Sequence, residues 1–498
     1  MKRLVNKRPI CFAALALGIG IFLTGMYEDV VWARVLFLAA ALIFAGFVLI
    51  FKKARLLYIP IIFALGVLLL SGVIDVYKST AVTSEKAEIT GTISTEIASK
   101  NEHSYYFKID DVTIDGEETG KQAFVVSGFL PNARAGDKVK IVGDVSTYDM
   151  GFRDFTSYGA RGTKFYVRSR KIENVGQGVL SFDKRVLIKY KRLLYDNCDD
   201  MTSDTALALL FGDRFAIDSQ YSHNVKDAGI LHIFAVSGLH VGMLAAVTAF
   251  LARKLKKKKA LYILIVEIPL ILYGWICGFG ASVLRAIVMS TVFIVSGLTG
   301  RQRDSLNSLS LAAIIVLILN PTDMFTKGFH LSFAALLGLI VIVPRLTRKE
   351  LSGAKKKVRD ICATSVGVNL MLLPFMVGFF GELQTLFVIS NLIILPILPF
   401  IYTISLVISL FVMILPSCAV ILNALSVVLF PIRFVAQAIG SLPISSVPVQ
   451  AVDMFGLAYL LTIFIMSRYV FLPRIKKMAL SLVVCAVCVA MIPVIPLL

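Results

Sequence analysis

Residues 58–97 read YIPIIFALGVLLLSGVIDVYKSTAVTSEKAEITGTISTEI, and two kinds of pattern meet inside them. The run over 56–76 is apolar without a period and about 20 residues long, the length a helix needs to cross the hydrocarbon core of a bilayer. From Glu88 to Ile97 polar and apolar residues alternate, as on a strand with one buried face. The chain is expected to leave a membrane at this junction and to build a β domain beside its helical spans.

Toward the N-terminus lie two more apolar runs, 9–27 and 30–51. Lys2, Arg3, Lys7 and Arg8 precede the first, as in a signal peptide. No small-residue cleavage signal follows, and two further spans come at once, so a retained span is expected. Toward the C-terminus the alternation continues in Tyr105–Ile114, Gln122–Ser127, Asp137–Val145 and Thr163–Ile172, with Gly, Asn and Asp between the runs. Five short strands separated by turn residues predict a small all-β barrel, for which an OB-like barrel is one solution. Leu180–Leu194 has mixed charge at helical spacing and is expected to lie flat on the bilayer surface. Apolar segments resume at about 229–252, 260–278, 282–298, 306–320, 328–344, 360–380, 384–415, 418–440, 453–468 and 477–497. In the long 384–415 segment, Leu395-Pro396 and Leu398-Pro399 predict a discontinuous or re-entrant helix.

Of the 498 residues, 57% are hydrophobic and 17% charged. Soluble domains hold about 45–50% apolar and about 25% charged residues, so an ordinary soluble enzyme is excluded. The net charge of +19 invites a nucleic-acid reading, but its location decides otherwise. With the N-terminus inside, the loops 1–8, 52–55, 253–259, 301–303, 345–359 and 468–477 carry 26 Lys and Arg against one acid, Glu350. The short outward loops carry one, Lys327. That asymmetry orients an inner-membrane protein. It places residues 77–200 and the C-terminus outside, counts 384–415 as a single net crossing, and gives about 13 crossings. The rest of the chain holds 25 basic and 31 acidic residues, so the excess charge is a topology signal. The expected class is a polytopic α-helical membrane protein with a small extracytoplasmic all-β, OB-like domain inserted after the third span. Its parts are 1–76 (three spans), 77–200 (β domain plus amphipathic helix), 201–475 (helical membrane domain) and 476–498 (a last span). Six of the seven cysteines lie in apolar runs, including the Cys485-x-x-Cys488 pair, and Cys198 lies in a polar stretch; no disulfide framework or redox pair is expected.

The richest stretch is Ala206–Met243, ALALLFGDRFAIDSQYSHNVKDAGILHIFAVSGLHVGM. It contains Leu210-Phe211-Gly212-Asp213-Arg214, Gly229-Ile230-Leu231-His232 and Ala235-Val236-Ser237-Gly238-Leu239-His240-Val241-Gly242. Further blocks are Gly280-Ala281-Ser282-Val283-Leu284-Arg285-Ala286 with Met289; Asn320-Pro321 with Gly328-Phe329-His330-Leu331-Ser332-Phe333; and Leu373-Pro374, Phe379-Phe380-Gly381-Glu382 and Ser390-Asn391-Leu392 with Pro396. With these blocks the sequence resembles the ComEC competence family, inner-membrane channels for DNA uptake. Residues 151–155 and 158–162 look like that family's junction after its outer β domain. The resemblance covers about 30–470, and the SGLH block is its most specific part.

The resemblance implies a channel for single-stranded DNA, with Gly212, Asp213, Arg214, His232, His330 and Ser332 at family-motif positions. It implies partners: a DNA receptor, a nuclease, and a cytoplasmic helicase or motor. Long members of the family add a metallo-β-lactamase-like domain with H-x-H-x-D-H spacing. Here His103, His223, His232, His240 and His330 include no such pair, so a short form without that domain is expected, with no metal and no cofactor. No GxxxxGK[ST] loop is present, so no ATP motor is expected in this chain.

Read from the residues themselves, ionisable groups inside apolar spans are functional candidates by default. These are Arg285, Arg433, His240 and Glu267, with His330 and Lys327 near one entry. Cations outnumber the acid, which suits an anionic solute. The bland alternatives are snorkelling of Arg285 to the outer interface, pairing of Glu267 with one of the arginines, and an interfacial His330. Ser237, Gly238 and Asn391 are gate or channel candidates beside the broken or close-packed stretches, and Asn369 is expected to hydrogen-bond between helices. Residues 77–150 hold 8 basic and 12 acidic residues, a poor DNA groove, whereas 151–192 hold 11 and 3. Arg153, Arg161, Lys164, Arg168, Arg170, Lys171 and then Lys184–Arg192 are candidates for guiding phosphates, or for contact with lipid headgroups. Two other readings stand beside the DNA channel: a transporter of another anionic polymer or lipid, and a rhomboid-like hydrolase using Ser237 and His330.

Overall fold

In the computed structural model, residues 8–449 are described apart from 28–29, 52–53, 96, 102–103, 120, 130, 148–162, 214–216, 218 and 348–351. Arg153, Arg161, Arg214, the junction 151–162, the apolar segments 453–468 and 477–497, and the Cys485–Cys488 pair lie outside the described residues.

Three helices open the chain: α1 (Pro9–Met26), α2 (Val31–Ile50) and α3 (Tyr58–Ser79). Gly20 of α1 and Gly66 of α3 let the two backbones touch, since a Cβ on either would strike the other helix's main chain.

The alternating region forms β1 (Thr83–Ile93), β2 (Ala98–Asn101), β3 (Ser104–Ile114), β4 (Glu117–Glu118), β5 (Gln122–Ser127), β6 (Asp137–Thr147) and β7 (Thr163–Gln177). β1 pairs with both β3 and β6, β3 with β5, β5 with β7, and β7 with β6, so five strands close a ring. β5 and β7 are parallel, and the other pairs of the ring are antiparallel. Every second residue points inward, and Ile89, Phe107, Ile109, Val139 and Phe165 fill the interior without exposure.

The helical block follows: α4 (Phe182–Asn197), α5 (Asp200–Phe211), α6 (Ser219–Asp227), α7 (Gly238–Leu251), α8 (Lys259–Ile276), α9 (Ala281–Thr299) and α10 (Ser305–Leu319). Then come α11 (Lys327–Val341), α12 (Gly353–Phe380), α13 (Phe387–Ile414) and α14 (Ala424–Gly440), with a small ladder of β8 (Glu382–Gln384) and β9 (Ser446–Pro448). Among the described residues, 10 helices are long and apolar enough to cross a membrane. α10, at 15 residues, is shorter.

Three expectations change. The 384–415 segment is not broken: α13 runs continuously through Pro396 and Pro399. Each proline forfeits one amide hydrogen bond, and in an apolar setting the rest of the helix has no better partner for its backbone than itself. Second, the turn after α13, residues 416–423, packs against α4. α4 in turn lies on the barrel, so this turn sits on the barrel side of the helical block. The single net crossing expected for 384–415 would place that turn on the side opposite the outer domain, and its contact with α4 argues against that placement. Third, α4 does not lie on a bilayer by its apolar face. Ile188 joins the barrel's core, while Tyr190 and Leu194 join the core built by α5 to α9 and α13–α14. Both sides are covered by protein because the helix is apolar on two faces.

Candidate functional site

The SGLH block is a helix start. Ser237 has extended backbone and caps α7, its Oγ accepting the Leu239 N–H at 3.2 Å. His240, three residues on, returns the favour: its Nδ1 accepts the Ser237 N–H at 3.2 Å. This is a capping box with histidine where Glu or Gln is usual. His240 is fully buried, edge-on to the ring of Tyr402 on α13 at 4.9 Å between centroids. With Nδ1 as acceptor, the neutral ring carries its proton on Nε2, and Nε2 has no partner among the described residues.

Arg285 reaches the same place from α9. The turn that launches α9 is tight: Gly278 and Phe279 both have positive φ (+76° and +45°). The Phe279 N–H is held by the Gly274 carbonyl at 2.8 Å, and its ring fills the space that a side chain at Gly274 would need. Arg285, one turn into α9, is 7% exposed. Its Nη1 donates to the Ser332 carbonyl of α11, and its guanidinium lies 5.8 Å from the Phe333 ring. Its Nη2 lies 2.6 Å from where a Cβ on Gly238 would stand. Nε has no hydrogen-bond partner, and among the described residues no carboxylate lies within 4 Å of the guanidinium. Three sequence blocks more than 40 residues apart thus converge: Gly238, Arg285 and Ser332. Arg285 is enclosed and does not snorkel.

The other candidates are placed as follows. Glu267 does not pair with an arginine: its carboxylate accepts from Thr291 Oγ1 at 2.9 Å, and its Oε1 has no partner. Thr291 lies six residues beyond Arg285 on α9, roughly 9 Å along the axis, which puts the acid out of the cation's reach. Arg433 is tied down by Thr202 Oγ1 (3.1 Å), the Ser426 carbonyl (2.7 Å) and Asp199 (3.5 Å) at the start of α5. His330 stacks on Phe375 of α12 at 5.4 Å, with Phe329 and Phe379 beside it. The imidazole at Ser237 is that of His240, with Nδ1 3.2 Å from Oγ. Asn391 is buried with Oδ1 unpartnered. Asn369 bonds to the Ser365 carbonyl of its own helix at 3.0 Å, since the carbonyl one turn back is the nearest acceptor; the interhelical bond expected for it is not made. Gly212 ends α5 in the left-handed region, φ +72°. Asp213 pairs with Lys191 at 3.3 Å, and His232 is exposed on a single 3-10 turn.

On the barrel, the described phosphate-guiding candidates are mostly engaged. Lys164 is buried and donates to the Thr80 carbonyl at 2.7 Å, fastening β7 to the end of α3; burial pushes its pKa down. Arg170 grips Asp144 in a fork at 2.8 and 2.9 Å, and that hydrogen bonding holds the Asp144 carboxyl below its usual range. Lys171 meets Glu173 at 2.5 Å, and Arg168 is exposed. The partners of Arg285 and Arg433 had no signal in the sequence, because Ser332 and Asp199 are remote in the chain. His240 as a capping partner was legible in the S-x-x-H spacing, had histidine been counted among capping residues.

A family model described as "Competence protein" matches residues 209–474. ComE operon protein 3 of Bacillus subtilis (strain 168) is 30% identical over 226 residues, 45% of this chain and 28% of that protein. An uncharacterized protein, YcaI, of Escherichia coli (strain K12) is 26% identical over 204 residues, 39% of this chain and 27% of that protein. The match therefore spans less than a third of the length of either relative. No solved structure matches the chain.

Proposed function

Because the chain belongs to the Competence protein family, we propose that it is a membrane channel that passes single-stranded DNA inward during transformation. The observation that carries this reading is Arg285, a buried cation at the first turn of α7 with no carboxylate within 4 Å among the described residues. A helix N-terminus carries about half a positive charge, so the two repel. A buried charge left unpaired costs about 3–5 kcal/mol. An anion passing Gly238 relieves both penalties, and DNA brings one phosphate per nucleotide. The cation is held ready by the Ser332 carbonyl and the Phe333 ring, neither of which neutralises it. One cation of this kind favours passage over capture, because a site that conducts must also release.

Loop charge supports an N-terminus inside, with residues 77–200 and the C-terminus outside. The ring order β1-β3-β5-β7-β6, with β5 and β7 parallel, supports reading the barrel as an OB-like domain on the outer side. In this reading the chain is no enzyme and binds no cofactor or metal. Capture of DNA, removal of the second strand and the driving force fall to separate proteins: a receptor, a nuclease, and a cytoplasmic helicase or motor.

The test is uptake of labelled DNA by a competent host. Deleting the gene should block entry into the cytoplasm while leaving surface binding intact. Unchanged entry would overturn the DNA reading and favour transport of another anionic polymer or lipid.

A further inference from the structure

The cations of α4 carry a second, independent site. A cavity of about 350 Å³ opens between α4 and the barrel, lined by the apolar Ala135, Leu180, Ile188 and Leu193 and by the charged Arg185, Lys189, Arg192 and Asp196. The three cations stand at i, i+4 and i+7, on one face of the helix. Among the described residues, neither Arg185 nor Lys189 has a carboxylate within 4 Å. Arg192 Nη2 reaches the Ala135 carbonyl at 3.4 Å, which fixes one wall of the cavity.

One turn before Arg185 the surface becomes apolar. Phe182 packs on Trp275 at 5.8 Å between ring centroids, and Trp275 continues the exposed stripe of α8 formed by Ile268, Ile271 and Leu272. Val175 and Val179 are exposed beside it. α8 is a candidate span, so this stripe faces acyl chains. From Phe182, a rise of about 1.5 Å per residue puts the three cations roughly 5, 10 and 15 Å further along α4. The nearest of them, Arg185, is thus within the depth of a headgroup layer, some 5–8 Å, that borders the hydrocarbon.

We propose that this cavity binds the phosphate headgroup of an anionic phospholipid whose acyl chains lie against Phe182 and Trp275, so that a lipid joins the barrel to the helical block. A lipid fits better than a nucleic-acid strand on two grounds. No aromatic ring lines the cavity to stack a base, and the apolar wall runs on into the lipid-facing stripe. Basic pockets at the membrane surface that border apolar helix faces are known to take such headgroups.

The test uses the full chain, purified in detergent and reconstituted in nanodiscs of phosphatidylglycerol or of phosphatidylcholine, with bound lipid counted by native mass spectrometry. Phosphatidylglycerol should bind in preference to phosphatidylcholine. The exposed double variant Arg185→Gln/Lys189→Gln should weaken that binding by about thirtyfold, each cation contributing about fivefold. The charge-preserving variant Arg185→Lys/Lys189→Arg should retain the preference, which separates loss of the site from loss of the fold. Equal phosphatidylglycerol binding by wild type and the glutamine variant would overturn the proposal. So would displacement of the lipid from wild type by a single-stranded oligonucleotide, which would assign the cavity to DNA.

Discussion

Gly238 and Arg285 constrain each other at the scale of single atoms. A methyl group at position 238 would stand 2.6 Å from Arg285 Nη2, so Gly238→Ala must push the guanidinium off the helix start. Gly242, one turn later, has nothing within 4 Å of such a methyl. Gly238→Ala should therefore cut DNA uptake at least tenfold and Gly242→Ala should leave it within twofold, as read by transformation frequency at equal protein level; equal effects would remove Arg285 from the conducting path. Arg285→Glu should impair uptake more than Arg285→Gln, because a carboxylate there repels phosphate. Arg433 behaves differently, since it already has an acid. Arg433→Glu should be rescued in part by Asp199→Arg, the swap restoring a pair that now spans 3.5 Å. Both arginines were legible in the sequence as cations in apolar spans. That one is paired and the other is not was illegible, because Asp199 lies over 200 residues from its partner. At the start of α10, Asp304 offers a pH test. Burial pushes its carboxyl up, but hydrogen bonds from Arg8 and from the amides of Asn307 and Leu306 outweigh this and hold it below the usual value. A depressed carboxyl contributes stability above its unfolded pKa of about 3.9 and loses it as pH falls through the folded value. Asp304→Asn should lower the melting temperature at pH 7 and leave it unchanged near pH 2; an equal shift at both would show that charge is not involved.

Among the elements, strands were read most securely. Gln122–Ser127 is bounded as the alternation implies, because a half-buried strand must show its face in every second residue. α13 was read least securely. Proline is a reliable breaker in water, where freed carbonyls find solvent, but in an apolar setting a helix keeps its remaining bonds and absorbs Pro396 and Pro399. The same hairpin yields an element-scale prediction. The turn 416–423 carries no charged residue and exposes Val420 and Ile421, unlike the Lys- and Arg-rich turns expected on the inner side, and it rests against α4. Removing two crossings at once leaves the side of everything downstream unchanged, so the loop-charge rule is still obeyed. A single cysteine at Ser417 in a cysteine-free background should react with a membrane-impermeant maleimide added outside whole cells. Labelling only after the cells are opened would restore a full crossing by both helices.

For the molecule as a whole, the distribution of charge along the sequence carries an expected orientation but no information on how the barrel is held. Of the barrel's described candidates, Arg170 and Lys171 are already matched by Asp144 and Glu173, and Lys164 is buried against α3, which leaves Arg168 exposed. Attachment runs instead through α4, whose two apolar faces were read as one face on a bilayer. Ile188 enters the barrel core and Tyr190 the helical core, where its hydroxyl meets Ser409 at 2.5 Å; Lys184 adds an ion pair to Asp110 of β3. Two cores sharing one helix should unfold together. Truncating Ile188, 8% exposed, costs about 2–5 kcal/mol on the barrel side alone. Ile188→Ala should therefore split a single calorimetric transition of the reconstituted protein into two, the barrel melting first. Arg168→Ala, exposed on β7 and outside the cavity beside α4, should keep one transition. A single transition in both variants, with the midpoint lowered only in Ile188→Ala, would mean that the coupling lies elsewhere, in the strut from Lys164 to the end of α3.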